Sequence, residues 1–211
     1  MTPGAPPPSP ESALARGLAW MLGHPVVYNA IQIAVGAHQT HRRLSRLLAG
    51  TDGLTVLDVG AGTGLVAPLL PAGAHYLWLD NDLRKLRGFR PGRSRVSCML
   101  GDGTRLGLRD RSVDVGVCVA VSHHLTDSQL DGVLGELARV VRQRLVFMDA
   151  IDRPESLVSR TLWRFDQGRY PRTASVLEAA LARHFDVTMV DRYTVYHSYV
   201  LCVGTPRPRA G

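Results

Sequence analysis

Residues 56–64 of the 211-residue chain read Val-Leu-Asp-Val-Gly-Ala-Gly-Thr-Gly, which is the most informative segment for predicting its fold. Its apolar start predicts a buried β-strand, and its glycines predict a turn leading into a helix near Leu65. Asp58 places a carboxylate beside the turn. Three positions lack a Cβ and let the backbone approach a ligand closely: Gly60, Gly62 and Gly64. Because ligands of open α/β sheets bind at the carboxyl ends of strands, we expect a cofactor site here.

The spacing of these glycines leaves two kinds of cofactor open. A dinucleotide-binding turn has the pattern G-x-G-x-x-G, which places a pyrophosphate on a helix N-terminus. Here the third glycine comes one residue early, and Leu65 stands where the last glycine of that pattern belongs. An incidental turn is a further alternative, because a lone glycine motif is weak evidence.

Length and charge limit the class of protein. A chain of 211 residues suits one α/β domain with a modest extension. The formal charge of +7 permits contact with nucleic acid or anionic lipid without establishing either. The densest basic segment, residues 84–95, is better explained as a solvated helix and loop than as a nucleic-acid patch.

The cysteines and the N-terminal segment bear on location. Cys98, Cys118 and Cys202 are far apart in apolar runs, which predicts buried, reduced thiols of a cytoplasmic protein. No basic segment precedes an apolar run at the N-terminus, which argues against a secretory signal. Residues 13–35 are fairly apolar but contain Arg16 and His24, so no transmembrane segment is expected. Peripheral contact with a membrane surface stays open.

The chain divides into four parts. Residues 1–10 are rich in proline and predict a flexible tail. Residues 11–50 predict three helices that form an N-terminal extension and lid, the last of them amphipathic at residues 40–49. Residues 51–203 form the main domain, and residues 204–211 a second flexible tail.

Strands and helices alternate through the main domain. Further strands are predicted at residues 75–79, 95–100, 113–119 and 145–149, with helices at 127–140, 153–164 and 174–184. Residues 185–190 and 196–203 predict a closing antiparallel hairpin. Together these elements predict an α/β, Rossmann-like fold: a seven-stranded, mostly parallel sheet with helices on both faces.

A second carboxylate comes about 20 residues after the glycine turn, where nucleotide-binding folds hold a ribose diol. Asp80 directly follows the second strand and is the better residue for this role, followed by Asn81. Asp82 is better explained as the N-cap of the next helix. Both cofactor alternatives require a carboxylate here.

The order of the downstream motifs separates the two. The pattern D-x-G-x-G-x-G at residues 58–64 is followed by Asp80, by Gly101-Asp102, by Asp114 and by His-His-Leu at residues 123–125. This ordered set, over about residues 54–150, resembles the ubiquinone/menaquinone-type branch of the class I S-adenosylmethionine (SAM) methyltransferases. The resemblance implies SAM as cofactor and S-adenosylhomocysteine (SAH) as its product.

The same resemblance implies roles for individual residues. Asp58 orients the methionine ammonium, the glycine backbone contacts the methionine part, and Asp80 binds the ribose. Asp102 accepts a hydrogen bond from the adenine amino group, with Leu83 and residues 103–106 flanking the ring. A plain turn residue is the alternative for Asp102. The implied cofactor set comprises Asp58, Gly60, Gly62, Gly64, Asp80, Asn81, Asp102, Gly103 and Val119.

Two outer segments, residues 25–37 and 164–172, resemble a poorly characterised group of bacterial SAM-dependent methyltransferases. The chain departs from that group at Trp78, where glycine is usual before the ribose carboxylate. The indole either narrows the nucleotide pocket or packs beneath it.

Residues for catalysis and acceptor binding follow from position. His123 and His124 come after the fourth strand, at the ligand edge, and histidine titrates near neutral pH; structural histidines are the alternative. Tyr28 and Gln32 close over the site if the N-terminal helices form a lid, and plain packing is the alternative. A further set either holds an anionic substrate group or fixes a loop through Asp166: Arg164, Arg169 and Tyr170.

The predicted reaction moves a methyl group to an O, N or C atom of a small molecule, mainly by positioning and exclusion of water. Nucleic-acid substrates are disfavoured, because no Asn/Asp-Pro-Pro-aromatic turn follows strand four and no proline precedes Cys118. No metal site is predicted, although chance could gather His123, His124, Asp149 and Asp152. The alternatives are a nicotinamide-dependent oxidoreductase and a SAM-binding partner protein without transfer activity.

Overall fold

The computed structural model describes residues 38–88, 95–156, 159–160, 163, 168–195 and 197–208. Its strands are β1 Thr55–Val59, β2 His75–Asp80, β3 Val96–Leu100, β4 Val113–Val119, β5 Val141–Ile151, β6 Phe185–Thr194 and β7 Ser198–Pro206. Its helices are α1 (38–48), α2 (Leu83–Gly88), α3 (Asp127–Val140) and α4 (Ala174–His184).

The seven strands form one sheet in the order β3-β2-β1-β4-β5-β7-β6. Strands β1 to β5 pair in parallel, whereas β7 runs antiparallel to both β5 and β6. The strand order reverses between β1 and β4, which is the position where open α/β sheets bind their ligands. The predicted fold, including the closing antiparallel hairpin, is confirmed.

Helices α3 and α4 cover one face of the sheet. Their apolar residues recur at helical spacing and are buried against the strands: Leu130, Leu134, Leu137, Leu177 and Leu181. Helix α3 begins with a capping box. The Thr126 side chain accepts a hydrogen bond from the backbone amide of Gln129, and the Gln129 side chain accepts one from the backbone amide of Thr126. This helix therefore starts directly after the loop that follows β4.

Helix α1 packs on the opposite face, where Leu44 and Leu48 are buried against Tyr76 and Trp78. The hydroxyl groups of Thr40 and Tyr193 lie 3.0 Å apart. At the other end of α1, Arg144 donates to the carbonyl of Leu47. Because Arg144 is near the start of β5, α1 runs antiparallel to the parallel strands and begins near their carboxyl ends.

Several expectations need correction. The described third helix of the predicted lid is part of the packed domain, because its leucines are buried against the sheet. No helix begins at Leu65; a 3₁₀-helical turn at Ala67–Leu69 replaces it, since Pro68 has no amide hydrogen to continue a helix. Strand β7 continues to Pro206, three residues into the predicted C-terminal tail. Cys98 is exposed, because β3 is an edge strand.

Docking of α1 predicts a large cost for shortening its innermost side chain. Leu48 is fully buried, so Leu48→Ala should lower the free energy of unfolding by about 2–5 kcal/mol. Urea denaturation measures this change. The exposed Arg42 on the same helix supplies the control, since Arg42→Ala should change stability by less than about 0.5 kcal/mol. Equal effects of the two substitutions would contradict the docking.

Candidate functional site

The glycine turn after β1 is held at the carboxyl end of β2. The amides of Gly60 and Ala61 donate to the carbonyl of Leu79 at 2.8 and 3.1 Å. Gly60, Gly62 and Gly64 have φ values of +72°, +56° and +78°, a left-handed conformation that side chains rarely adopt. All three glycines are therefore required by the backbone, and the turn is built at the switch point of the sheet.

Asp80 joins this turn to the end of β2. One carboxylate oxygen accepts from the Gly62 amide at 2.8 Å, and the other accepts from the Asp82 amide at 2.9 Å. Lys85 lies 3.7 Å from the same carboxylate. A carboxylate offers about four lone-pair directions, so Asp80 keeps acceptor capacity for a pair of hydroxyl groups.

Asp58 lies in the interior of the same face. Its carboxylate accepts a 2.5 Å hydrogen bond from the Tyr76 hydroxyl of the neighbouring strand. Burial raises the pKa of Asp58 to about 7, the hydrogen bond from Tyr76 opposes this rise, and the charge of Asp80 adds to it. Trp78 is also fully buried on this face, so its ring is part of the apolar core beside Asp58.

The carboxyl ends of β2 and β3 carry exposed apolar side chains beside exposed polar groups. Leu83 and Leu100 are 44% and 58% exposed, which is unusual for leucine at the rim of a packed sheet. Asp102 is exposed, and the Thr104 amide donates to it at 2.8 Å. Ligand pockets combine apolar walls with a few polar groups. The leucines and Asp102 give this edge of the sheet such a combination.

The loop after β4 packs directly against the glycine turn. A Cβ built on Gly60 would lie 2.6 Å from Cγ2 of Val121, so the Val121 side chain packs on the turn in the space that glycine leaves open. Ala120 takes a left-handed φ of +56° at the end of β4, which turns the chain into a 3₁₀-helical turn at Ser122–His124. This turn therefore lies beside the predicted methionine end of the cofactor site.

His123 in this turn forms a buried pair with Asp149 at the end of β5. The His123 Nδ1 atom lies 2.6 Å from one carboxylate oxygen of Asp149, and the other oxygen accepts from the amide and hydroxyl of Ser122. Burial alone would raise the pKa of Asp149, but the charge and hydrogen bond of His123 and the contacts from Ser122 hold it below its usual value. Asp149 is thus a buried carboxylate that fixes the imidazole.

A buried arginine clamps the same turn from the opposite side. Arg172 donates to the carbonyls of Ser122 and Leu125, each at 2.7 Å, and to the carboxylate of Asp127. The Tyr170 amide donates to the carbonyl of His123 at 3.0 Å. Sequence reasoning missed Arg172, although it lies in the segment 164–172 that carries the second resemblance.

The other predicted residues fall in different places. His124 is exposed, with its ring centroid 4.1 Å from that of His123. Val119 ends β4, Asn81 is exposed after β2, and Gly103 packs against Val59 and Val133. Arg169 is exposed, and Tyr170 is 39% exposed. Tyr28, Gln32 and Arg164 lie outside the described residues.

Two further features concern the described part of the chain alone. Within it, no group of three or more His, Cys, Asp or Glu side chains has an arrangement that could hold a metal ion. Among its helices, none combines the length and the apolar character needed to cross a bilayer.

The fold has the strand order 3-2-1-4-5-7-6, with an acidic residue at or near the carboxyl end of each of β1, β2 and β3: Asp58, Asp80 and Asp102. Comparison with known proteins agrees with this description. Residues 57–147 match the methyltransferase domain family. The chain has the Rossmann-like fold of SAM-dependent methyltransferases.

Individual relatives agree with this assignment. Malonyl-[acyl-carrier protein] O-methyltransferase of Methylococcus capsulatus is 31% identical over 157 residues, which are 68% of this chain and 56% of that protein. The chain thus spans little more than half the length of this relative. Magnesium protoporphyrin IX methyltransferase of Synechocystis, solved with SAH, has a TM-score of 0.65 at 20% identity, over 81% of this chain and 84% of that one. Protein PH0226 of Pyrococcus horikoshii has a TM-score of 0.66 at 18% identity, over 88% and 93%.

The clamp on the His123 turn leads to a stability prediction. Arg172→Gln should cost about 3 kcal/mol, because the carbonyls of Ser122 and Leu125 would be left without their buried donor. Thermal or urea denaturation measures the loss. Arg169→Gln, in the same segment but exposed, is the matched control and should stay within about 0.5 kcal/mol. If Arg172→Gln leaves the free energy of unfolding unchanged, other contacts must fix the turn.

Proposed function

We propose that this chain transfers a methyl group from SAM to an O, N or C atom of a small molecule, with His123 as the base for acceptors that start protonated. The observation that carries this proposal is the Asp149–His123 pair, placed beside the glycine turn of a class I methyltransferase domain. The family match and the relatives favour methyl transfer over the nicotinamide alternative.

The residues of the first half of the sheet suit the cofactor. The glycine turn would support the methionine part, Asp80 would accept from the ribose hydroxyls, and Asp102 would accept from the adenine amino group. Exposed Leu83 and Leu100 would contact the purine. When bound, SAM supplies a methyl group that is already activated as part of a sulfonium, so the chain has mainly to orient the acceptor and exclude water.

His123 is suited to removing a proton from the acceptor. An ionised Asp149 would accept the Nδ1 hydrogen of His123, so that in the neutral form of the ring the lone pair is on Nε2. Ser122 also donates to Asp149, and Arg172 holds the backbone of the turn, so the imidazole is fixed before the acceptor arrives. A base that is held in a fixed orientation increases the rate of proton transfer more than a freely rotating one.

The proposed contacts to the acceptor are inferred from the positions of residues around the site. Tyr28 and Gln32 are proposed to contact it from the N-terminal segment, whose described continuation, α1, begins near the carboxyl ends of the strands. Arg164, Arg169 and Tyr170 are proposed to bind an anionic part of it. A small-molecule acceptor and a cytoplasmic location remain predictions.

Cofactor binding gives the first test. SAH at 100 times its dissociation constant should stabilise the protein by about 2.7 kcal/mol in a thermal-shift measurement, and NAD should not. Asp80→Ala should weaken the binding of SAH, because two hydroxyl-accepting oxygens are lost, whereas Asp186→Ala, on the distant edge strand, should not. Stabilisation by NAD alone would contradict the proposal.

The base gives the second test. Transfer of labelled methyl from SAM into small molecules of a cell extract should fall about 10²- to 10⁴-fold in His123→Ala, while SAH binding is kept. His75→Ala is the control, because His75 begins β2 at the opposite, amino end of the parallel strands. If the wild-type protein binds SAH and no acceptor is ever labelled, the chain is a SAM-binding protein without transfer activity.

A further inference from the structure

Two carboxylates and a phenol lie together on one face of the sheet, beneath the proposed methionine and ribose positions. Asp58 pairs in register with Trp78, two residues from both Tyr76 and Asp80, and strand alternation directs all four to the same face. Asp80 is tied to backbone amides through both oxygens. Asp58 instead accepts from Tyr76, a group that gives a hydrogen bond without adding a positive charge.

The surroundings of Asp58 contain no compensating cation among the described residues. On β2 the titratable neighbours are Tyr76 and the acidic Asp80, and on β4 the nearest titratable group is the thiol of Cys118. Apolar side chains cover this face, including Leu48 and Val66. Lys85 is near Asp80, where it is half exposed to solvent. A negative charge on Asp58 is therefore unfavourable in free energy unless a cation binds nearby.

SAM and SAH both bring an ammonium group to the methionine end of such a site, and SAM brings a sulfonium as well. We propose that cofactor binding is coupled to the release of a proton from Asp58 and that Tyr76 sets the pH at which this happens. The Asp58 O–H bond breaks, the proton passes to buffer, and the carboxylate that remains is stabilised by the bound cation and by the Tyr76 hydroxyl. The inference rests on the proposed cofactor.

The coupling has a defined pH window. Burial brings the pKa of Asp58 to about 7, so the charged fraction in the ligand-free protein rises about tenfold between pH 6 and pH 8. Affinity for the ligand should rise by the same factor. In the absence of ligand the sign is reversed, because a raised pKa of an acid in the folded state costs stability as the pH rises from about 4 to 7.

The experiment is calorimetric titration of SAH into the full-length protein at about pH 6, 7 and 8, in buffers of different ionisation enthalpy. We expect about tenfold tighter binding at the highest pH than at the lowest, with release of about half a proton near pH 7. Asp58→Asn should bind weakly with little pH dependence, and it reports the titration of the ligand's own amino group. Without ligand, the melting temperature of Asp58→Asn should gain on that of the wild type as the pH rises.

Tyr76→Phe tests the role of the phenol. Loss of its hydrogen bond should weaken SAH binding at pH 7 and move the pH dependence upward, with affinity recovering at higher pH. Tyr193→Phe is the control: it removes a buried tyrosine hydroxyl on the same face, bonded to Thr40, and should leave the pH profile unchanged. An affinity for SAH that is equal at pH 6 and pH 8 in the wild type would overturn the inference and leave the proposed function intact. Absence of SAH binding at every pH would overturn both.

Discussion

The buried carboxylate of Asp149 holds the turn after β4 against the end of β5. It sits at the end of β5 and receives donors from the turn after β4, namely the Ser122 amide and hydroxyl and the His123 ring. A carboxylate this deep is stable only when such donors surround it. The same hydrogen bonds that satisfy Asp149 therefore hold His123 in place.

The carboxyl ends of β1 to β3 and those of β4 and β5 carry different kinds of polar group. Around β1 to β3 the chain uses backbone, glycine and carboxylate groups, which suit a ligand with ammonium, hydroxyl and amino groups. Around β4 and β5 it uses an imidazole fixed by Asp149 and a turn clamped by Arg172. The close approach of Gly60 and Val121 joins the two regions, so a cofactor and an acceptor bound to them would meet at this point.

Much of the fold follows from the sequence because the glycine motif and the apolar runs are local signals. The seven-stranded, mostly parallel sheet and its closing hairpin are confirmed. The pairing of His123 with Asp149 and the clamp by Arg172 join residues 26 and 50 positions apart, and no periodicity reports such contacts. Tyr76 was within reach of sequence reasoning, since the pleat of β2 places it on the face of Trp78 and Asp80. The helix expected at Leu65 does not form, because Pro68 lacks the amide hydrogen that an α-helix needs there, whatever the apolar pattern favours.

Strand pleating places Asp58 and Asp149 on opposite faces of the sheet, the former with Val56 and the latter with Phe147. The layer of apolar side chains and paired backbone therefore separates the two carboxyl groups. If the residues around Asp149 bind the acceptor as proposed, substitutions there would leave the buried surroundings of Asp58 unchanged. Such a protein could acquire new acceptors without a change beneath its cofactor.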